Sequence, residues 1–231
     1  EALFSNTEGH RNIAIGEKSL YSNISGYKNV GIGYESVKNS VTGYDNIGIG
    51  NCAGKGGSTD QRWRNIFMGE DAGLAITQGC YNIGIGGSAL ASFTTGPTDS
   101  GGVVDRGSNI CLGASSGRAI TVGYKNIAIG VNAAHTGTNN LTTGDKNTLI
   151  GDYCATNAAD AQNQIVIGYY ATGQGDNFAV IGNADIERLY AAQDGQGVLH
   201  AAAAIITSDS RIKSNIVDID DSSALQHVRD I

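Results

Sequence analysis

Apolar and small residues alternate over five-residue segments that begin with asparagine and end with glycine. The first segment, "NIAIG", runs from Asn12 to Gly16, and "NVGIG" and "NIGIG" follow from Asn29 and Asn46. Further copies begin at Asn65, Asn82, Asn109, Asn126 and Asn147, and looser copies begin at Gln164 and Phe178. The starting positions of successive copies differ by 17, 17, 19, 17, 27, 17, 21, 17 and 14, so the base period is 17. A fixed period of this kind is typical of a repeat architecture.

Each copy predicts a short β-strand, because two branched side chains flank one small residue, as Ile13 and Ile15 flank Ala14. Glycine ends the strand, and a second, weaker strand is predicted in segments such as "EKSLYSN" and "YESVKNS". Turns such as "SGYKN" lead into the next copy, since glycine adopts positive φ and asparagine hydrogen-bonds neighbouring backbone. Each repeat is therefore interpreted as one coil of two short strands.

A single coil cannot be stable alone. Ordering the backbone costs about 1–2 kcal/mol per residue, while each buried branched side chain returns only about 1.5–3 kcal/mol. Stacked coils would bury one another's isoleucines and align their asparagines in side-chain ladders. The predicted fold class is therefore all-β, a parallel β-solenoid. Small residues at the middle strand position, such as Ala14, Gly31 and Gly48, predict a close approach of backbone from another chain and hence an oligomer.

Composition and charge narrow the function classes. The chain has 34 glycines among 231 residues and a single proline, Pro97, which fits a regular glycine-dependent repeat. No apolar run approaches the roughly 18 residues of a membrane span, so membrane insertion is not expected. The opening residues lack a signal-peptide pattern, which leaves secretion open. The formal charge of −7, with scattered lysines and arginines, argues against nucleic acid as a partner.

The four cysteines, Cys52, Cys80, Cys111 and Cys154, show no metal-binding spacing, because they are widely separated along the chain and include no CxxC pair. They are interpreted as small buried residues, and a disulfide between distant repeats stays open. The segment "AGKGGST" has glycine after Lys55 where a phosphate loop requires serine or threonine, which excludes nucleotide binding there. No metal and no cofactor are expected.

The repeated strand, followed by a Ser/Ala-rich segment, resembles the head repeat of trimeric autotransporter adhesins. The resemblance covers about Asn12 to Gly182. It implies a left-handed parallel β-roll in which three chains associate about one axis. A homotrimer is therefore expected, and a cellular trimeric surface adhesin is one candidate function.

Insertions into the repeat are candidates for recognition, since loops on a rigid scaffold carry much of protein function. The insertion Lys55–Arg64 contains the only tryptophan, Trp63, between Arg62 and Arg64. An exposed indole is a platform for a sugar ring, so these three residues are candidates for contact with a host glycan or protein receptor. The alternative is that Trp63 packs into a neighbouring chain.

Two further insertions, Thr94–Ser108 and His135–Lys146, are polar loops without evident chemistry. Asp99 with Asp105, or Glu70 with Asp71, would be the paired acids of a polysaccharide-degrading tailspike. Solvated carboxylates are far more common than catalytic pairs. Cleavage of host polysaccharide is therefore kept only as a second alternative function.

The chain ends on a compact charged segment, "TSDSRIKSNI", from Thr207 to Ile216. This segment resembles the opening of the self-cleaving intramolecular chaperone domain at the C-terminus of phage tail fibres, tailspikes and neck appendages. The family pattern is Ser-Asp-x-Arg-aliphatic-Lys-x-acidic or Asn-Ile. It is matched here by Ser208, Asp209, Arg211, Ile212, Lys213, Asn215 and Ile216.

The resemblance implies that Ser208 is the nucleophile of a single self-cleavage event and that Lys213 is its partner. A desolvated lysine with a lowered pKa can accept the serine proton, as in Ser-Lys variants of the catalytic triad. Asp209, Arg211 and Asn215 would order the segment rather than react. The alternative interpretation is a surface loop rich in Ser, Asp and Lys.

Together these patterns predict four regions: a lead-in over 1–11, a β-roll over 12–182, a connector over 183–207 and the start of a chaperone domain over 208–231. The predicted function is that of a structural and host-attachment segment of a phage tail fibre or appendage, located in the virion. Its expected partners are two further copies of itself and a host-surface glycan or protein. A cell-surface location belongs to the adhesin alternative.

Overall fold

The computed structural model describes residues 1–57, 61–94, 107–190 and 192. The chain divides into two compact units, Glu1–Glu187 and Arg188–Ile231, and the described residues lie almost wholly in the first. The segment "TSDSRIKSNI" lies outside the described residues, as does most of the insertion Thr94–Ser108. The region boundaries predicted beyond residue 190 stay predictions.

Twelve strands of three residues lie within the described part of the chain, which contains no α-helix. Ten of them form one parallel sheet in chain order: Ile13–Ile15 (β1), Val30–Ile32 (β2), Ile47–Ile49 (β3), Ile66–Met68 (β5), Ile83–Ile85 (β7), Ile110–Leu112 (β8), Ile127–Ile129 (β9), Thr148–Ile150 (β10), Ile165–Ile167 (β11) and Ala179–Ile181 (β12). The other two, Gln61–Trp63 (β4) and Gln78–Cys80 (β6), pair in a second parallel sheet. The predicted parallel β-solenoid with turns of about 17 residues is confirmed.

The register of the main sheet follows the sequence repeat. Ile13 pairs with Val30, and Val30 pairs with Ile47, so equivalent residues of successive coils lie side by side. The same rule holds across the longest interruption, where Ile83 pairs with Ile110. The insertions therefore leave the sheet undisturbed, because all of them lie between the end of one strand and the start of the next.

The Ser/Ala-rich segment of each coil is not the predicted second strand. It consists of turns in which left-handed residues recur, with φ of 57° at Lys18, 49° at Leu20, 52° at Glu35 and 51° at Val37. This alternation curves the chain, as the closure of such a short coil requires, whereas a strand would run straight. Hydrogen bonds to adjacent coils stabilise it, and the N–H of Leu20, for example, donates to the carbonyl of Ser36 at 3.0 Å.

The middle residue of each strand points into the coil, where its size is matched to its neighbours. A Cβ added to Gly48 would collide with the side chain of Val37. Conversely, the ring of Phe67 fills the space beside Gly54 and Gly73, at either of which a Cβ would lie too close to that ring. The expectation that the small middle residues admit backbone from another chain is therefore wrong: they make room for core side chains of the same chain.

Asparagine side chains form the predicted ladder along the interior. The Oδ1 atom of Asn29 accepts hydrogen bonds from the backbone N–H and the Nδ2 of Asn46, at 3.0 and 3.1 Å. The Oδ1 of Asn46 likewise accepts from the backbone N–H and the Nδ2 of Asn65. The Nδ2 atoms of Asn46 and Asn65 also each donate to a backbone carbonyl of a neighbouring turn. The pattern continues through Asn82, Asn109, Asn126 and Asn147 to the backbone N–H of Gln164. These amides satisfy buried backbone groups that the three-residue strands cannot pair.

Candidate assembly and attachment site

The branched residues of the main sheet form two columns on its outer side, which we name the isoleucine face. The first column consists of Ile13, Val30, Ile47, Ile66, Ile83, Ile110, Ile127, Thr148, Ile165 and Ala179; the second consists of Ile15, Ile32, Ile49, Met68, Ile85, Leu112, Ile129, Ile150, Ile167 and Ile181. These side chains alternate with the inward middle residues, so they point away from the coil interior. Ile15 is 58 % exposed and Ile85 is 39 % exposed.

The outward direction of the isoleucines corrects the expectation that stacked coils bury them. Each coil is so thin that its interior accepts one side chain from each strand, together with the asparagine and the Ser/Ala-rich segment. Adjacent coils cover only the flanks of each isoleucine. With strands about 4.8 Å apart, ten of them extend the face over roughly 45 Å. Eight of its twenty residues are exposed and twelve are half-buried, so the face is a contiguous, partly exposed apolar patch, and such a patch marks an interaction site on a folded protein.

A column of stacked rings runs along the turn that precedes each asparagine in the N-terminal coils. The ring centroids of His10 and Tyr27 lie 5.2 Å apart, those of Tyr27 and Tyr44 lie 5.0 Å apart, and those of Tyr44 and Trp63 lie 5.9 Å apart. The planes are within 6° of parallel. Offset stacking of this kind contributes about 0.5–1.5 kcal/mol per pair beyond area burial. The sequence indicates this column of rings, since aromatic residues recur at the repeat period.

The three residues predicted to contact a receptor have different environments. Arg62 is 1 % exposed, and its Nη2 donates to the carbonyl of Lys55 at 3.3 Å. Trp63 is half-buried, whereas Arg64 is exposed and its guanidinium contacts the hydroxyl of Tyr81. The structure thus places Arg62 inside the coil and Arg64 on the surface. Receptor contact by these residues stays a prediction.

A buried carboxylate joins two adjacent coils. The side chain of Glu35 is 8 % exposed, and its two oxygens lie 2.7 Å from Nζ of Lys38 and 2.6 Å from Nζ of Lys55. Hydrogen bonds from Lys38 and then Lys55 lower the pKa of Glu35 to about 2, against the opposing effect of burial. The carboxylate therefore stays ionised over the usual pH range and ties the turn of one coil to the turn of the next.

Replacing Glu35 by glutamine is expected to lower the free energy of unfolding by about 1–3 kcal/mol at neutral pH. Because the folded pKa is lowered, the contribution of Glu35 is complete above its unfolded pKa of about 4.5 and is lost as the pH falls through about 2. Urea unfolding of the E35Q variant and the unmodified protein at pH 7, pH 4 and pH 2 measures this difference. Glu17→Gln, at an exposed carboxylate 3.5 Å from Lys18, is the control and is expected to have little effect. A difference for E35Q that is as large at pH 2 as at pH 7 would contradict the assignment.

The remaining predicted chemistry falls into two groups. Asp99, Asp105 and the motif residues from Ser208 to Asn215 lie outside the described residues, so their placement stays untested. Within the described residues, Glu70 is exposed and Asp71 is half-buried. No cluster of three or more His, Cys, Asp or Glu side chains suited to a metal ion occurs in that part of the chain, nor does any helix with the length and apolar character of a membrane span.

All four cysteines are free thiols, and Cys80, Cys111 and Cys154 are buried, as predicted. Burial raises the pKa of Cys111 to about 12 and that of Cys154 to about 11. Since the thiolate is the reactive form, both side chains are inert core residues. Cys52 is only half-buried, in the turn that follows β3.

Comparison of the chain with protein-family models, with curated proteins and with solved structures gives no match. The fold itself defines the class: an all-parallel β-solenoid of about nine turns, compatible with a β-roll. On it the structure identifies one extended apolar face and one column of aromatic rings.

Proposed function

We propose that this chain is a structural and host-attachment segment of a homotrimeric phage tail fibre or appendage. The observation that carries the proposal is the isoleucine face: nineteen apolar side chains and one threonine, with no charged residue, on the outer side of a ten-stranded sheet. An isolated chain would leave this surface in water. A function as a shaft assembled from identical chains accounts for it directly.

Further copies of the same chain are the occupants that best fit the face. Its two columns are parallel and keep a constant spacing along the whole sheet. An identical chain that runs in the same direction would therefore place an apolar side chain opposite almost every strand of the face. If each side chain leaves roughly 50 Å² accessible, the twenty together offer on the order of 1,000 Å², compared with about 800 Å² per partner in a standard stable interface. Around a shared axis the face of each chain would be closed by the other two.

The attachment part of the proposal rests on the C-terminal motif and on its position after the β-solenoid. A fibre of thin chains needs help to assemble, because registering three chains is a non-local and slow event that exposes unpaired edges. A chaperone domain that supports assembly and is then cleaved off at Ser208 meets this need. The mature trimer would be retained by a high barrier to unfolding.

The self-cleavage is tested by the intact mass of the protein expressed with its natural downstream sequence, beside a Ser208→Ala version. We expect the unmodified chain to lose everything beyond the neighbourhood of Ser208 and the variant to remain whole. The chemical reason is that the hydroxyl of Ser208 is the attacking nucleophile and Lys213 its base. If both proteins remain whole, the tail-fibre assignment fails. A trimeric surface adhesin, which the isoleucine face supports equally well, would then be the better interpretation.

A further inference from the structure

A pocket opens beside the last complete coil, at the C-terminal end of the described solenoid. It has a volume of about 390 Å³ and is lined by Tyr170, Thr172, Gln174, Val180, Gly182, Asn183 and Ala184. The pocket lies between the coil that begins at Gln164, which at 14 residues is shorter than the others, and the residues of β12 and just after it. Its volume lies in the range of about 300–1,000 Å³ that is typical of small-molecule sites.

The ring of Tyr170, which two neighbouring tyrosines hold in place, forms one wall of this pocket. The ring of Tyr170 stacks on that of Tyr153, with centroids 4.8 Å apart and planes 2° from parallel. Tyr169 lies nearly perpendicular to Tyr170 with the centroids 4.5 Å apart. These two contacts hold the ring of Tyr170 in place while leaving 52 % of the residue exposed. The aromatic wall is therefore in place before any ligand arrives.

The remaining lining is uncharged: Thr172, Gln174 and Asn183 are polar, whereas Val180, Gly182 and Ala184 are apolar or small. Gln174 uses its Nε2 to donate to the carbonyl of Thr172 at 3.3 Å, which fixes the amide at the rim. The Nδ2 of Asn183 donates to the carboxylate of Asp185, and its Oδ1 accepts from the backbone N–H of Asp185. The side-chain amide of Asn183 is therefore also ordered. Both the hydroxyl of Thr172 and the Oε1 of Gln174 can therefore bond to a ligand without giving up these contacts. The pocket thus combines one fixed aromatic ring with neutral hydrogen-bonding groups.

We propose that the pocket formed by Tyr170, Thr172 and Gln174 binds a sugar unit of a neutral glycan. A sugar ring has an apolar C–H face, which fits an aromatic wall, and a rim of hydroxyl groups, which fits hydroxyl and amide side chains. The carboxylate of Asp185, which accepts from the lining residue Asn183, disfavours an acidic sugar by like-charge repulsion. The inference rests on the proposed attachment function and names its ligand class and its location.

This pocket fits a glycan better than the surroundings of Trp63 do. The hollow lined by Thr42, Gly43, Tyr44, Arg62 and Trp63 has a volume of only about 190 Å³. Each aromatic ring has one face covered by a stacked neighbour, Trp63 by Tyr44 and Tyr170 by Tyr153, so the two sites differ in volume and charge rather than in stacking. The guanidinium of Arg62 there lies within the coil interior and bonds to the backbone. The larger and neutral pocket at Tyr170 is therefore the site that we assign.

The test is saturation-transfer-difference NMR on the full chain with four probes: the methyl glycosides of galactose, glucose, mannose and N-acetylglucosamine. At least one probe is expected to give a signal that Tyr170→Phe keeps and that Tyr170→Ala and Gln174→Ala each reduce. The expected loss of affinity in Tyr170→Ala is about tenfold, or about 1.4 kcal/mol, since the substitution removes the ring against which the apolar face of the sugar packs. Tyr34→Ala is the control, because Tyr34 is a similarly exposed tyrosine away from the pocket.

Two results would overturn the proposal: no signal with any of the four probes, or a signal that survives both Tyr170→Ala and Gln174→Ala. Either result leaves the fibre proposal standing if the protein is trimeric and cleaves itself at Ser208. A monomeric chain that nevertheless gives the Tyr170-dependent signal would refute the fibre proposal and retain the glycan site. The two failures are thus distinguishable.

Discussion

Replacing both Ile49 and Ile85 by aspartate is expected to convert the proposed homotrimer into folded monomers. Both side chains lie in the second column of the isoleucine face, on strands β3 and β7. In a monomer the new carboxylates would be in water, so the fold is expected to be retained. In an assembly they would be buried without a partner, which costs several kcal/mol per ion, and every copy contributes two.

Sedimentation velocity beside circular dichroism measures this effect, with the first reporting mass and the second reporting fold. Val122→Asp is the matched control, because Val122 is 38 % exposed but lies in a turn away from the main sheet. The control is expected to sediment like the unmodified protein. A double variant that keeps the sedimentation coefficient of the unmodified protein would show that the isoleucine face is not the interface.

Replacing Asn65 by leucine is expected to lower the free energy of unfolding by about 3–5 kcal/mol, since two or three buried polar groups would lose partners at about 1–3 kcal/mol each. The Oδ1 of Asn65 accepts from the backbone N–H and the Nδ2 of Asn82, both at 3.0 Å. Its Nδ2 donates to the Oδ1 of Asn46 at 3.0 Å and to the carbonyl of Gly79 at 2.9 Å. Leucine has the same branched arrangement of side-chain heavy atoms and makes none of these bonds.

The matched control is Asn51→Leu, because Asn51 belongs to the coil before Asn65 and is exposed. Surface substitutions of this kind change stability by about 0.5 kcal/mol or less. Urea unfolding midpoints of both variants and the unmodified protein, compared at one protein concentration, give the result. If Asn65→Leu is no less stable than the control, the asparagine ladder has no role in stability.

The backbone of the fold could be predicted from the sequence because the repeat is regular. Every strand of the main sheet lies at the second to fourth residue of a copy such as "NIAIG", and the asparagines form the ladder that their spacing indicated. A buried side-chain ladder needs an identical residue at the same place in each coil. The recurrence of asparagine at the repeat period, which is visible in the sequence, is therefore sufficient to predict the ladder.

The direction of the isoleucines could not be predicted in the same way. Alternation of Ile13, Ala14 and Ile15 shows that a strand has two faces, but it does not show which face is inside. The general preference of large apolar residues for the interior would place the isoleucines inside the coil. That preference fails here because Ser19 and Leu20 already fill the coil. Only the three-dimensional size of the coil reveals that the middle residue of each strand, here Ala14, is the one that fits inside.

The candidate site was only partly visible in the sequence. Trp63 stands out as the sole tryptophan, whereas Tyr44, which stacks on it, and Tyr27, which stacks on Tyr44, lie in segments whose composition indicates only turns. Their shared column follows from the same period as the strands. The short spacing of 14 residues beside the Tyr170 pocket is visible in the sequence, but the side chains that meet there are visible only in the structure.

The oligomeric mass of the unmodified protein decides whether the isoleucine face joins identical chains. Sedimentation equilibrium at micromolar concentration is expected to give three times the 23.8 kDa of one chain, because in the proposed homotrimer two further copies would close the isoleucine face. A mass of one chain across the concentration range would contradict the account, since the isoleucine face would then lie open to water.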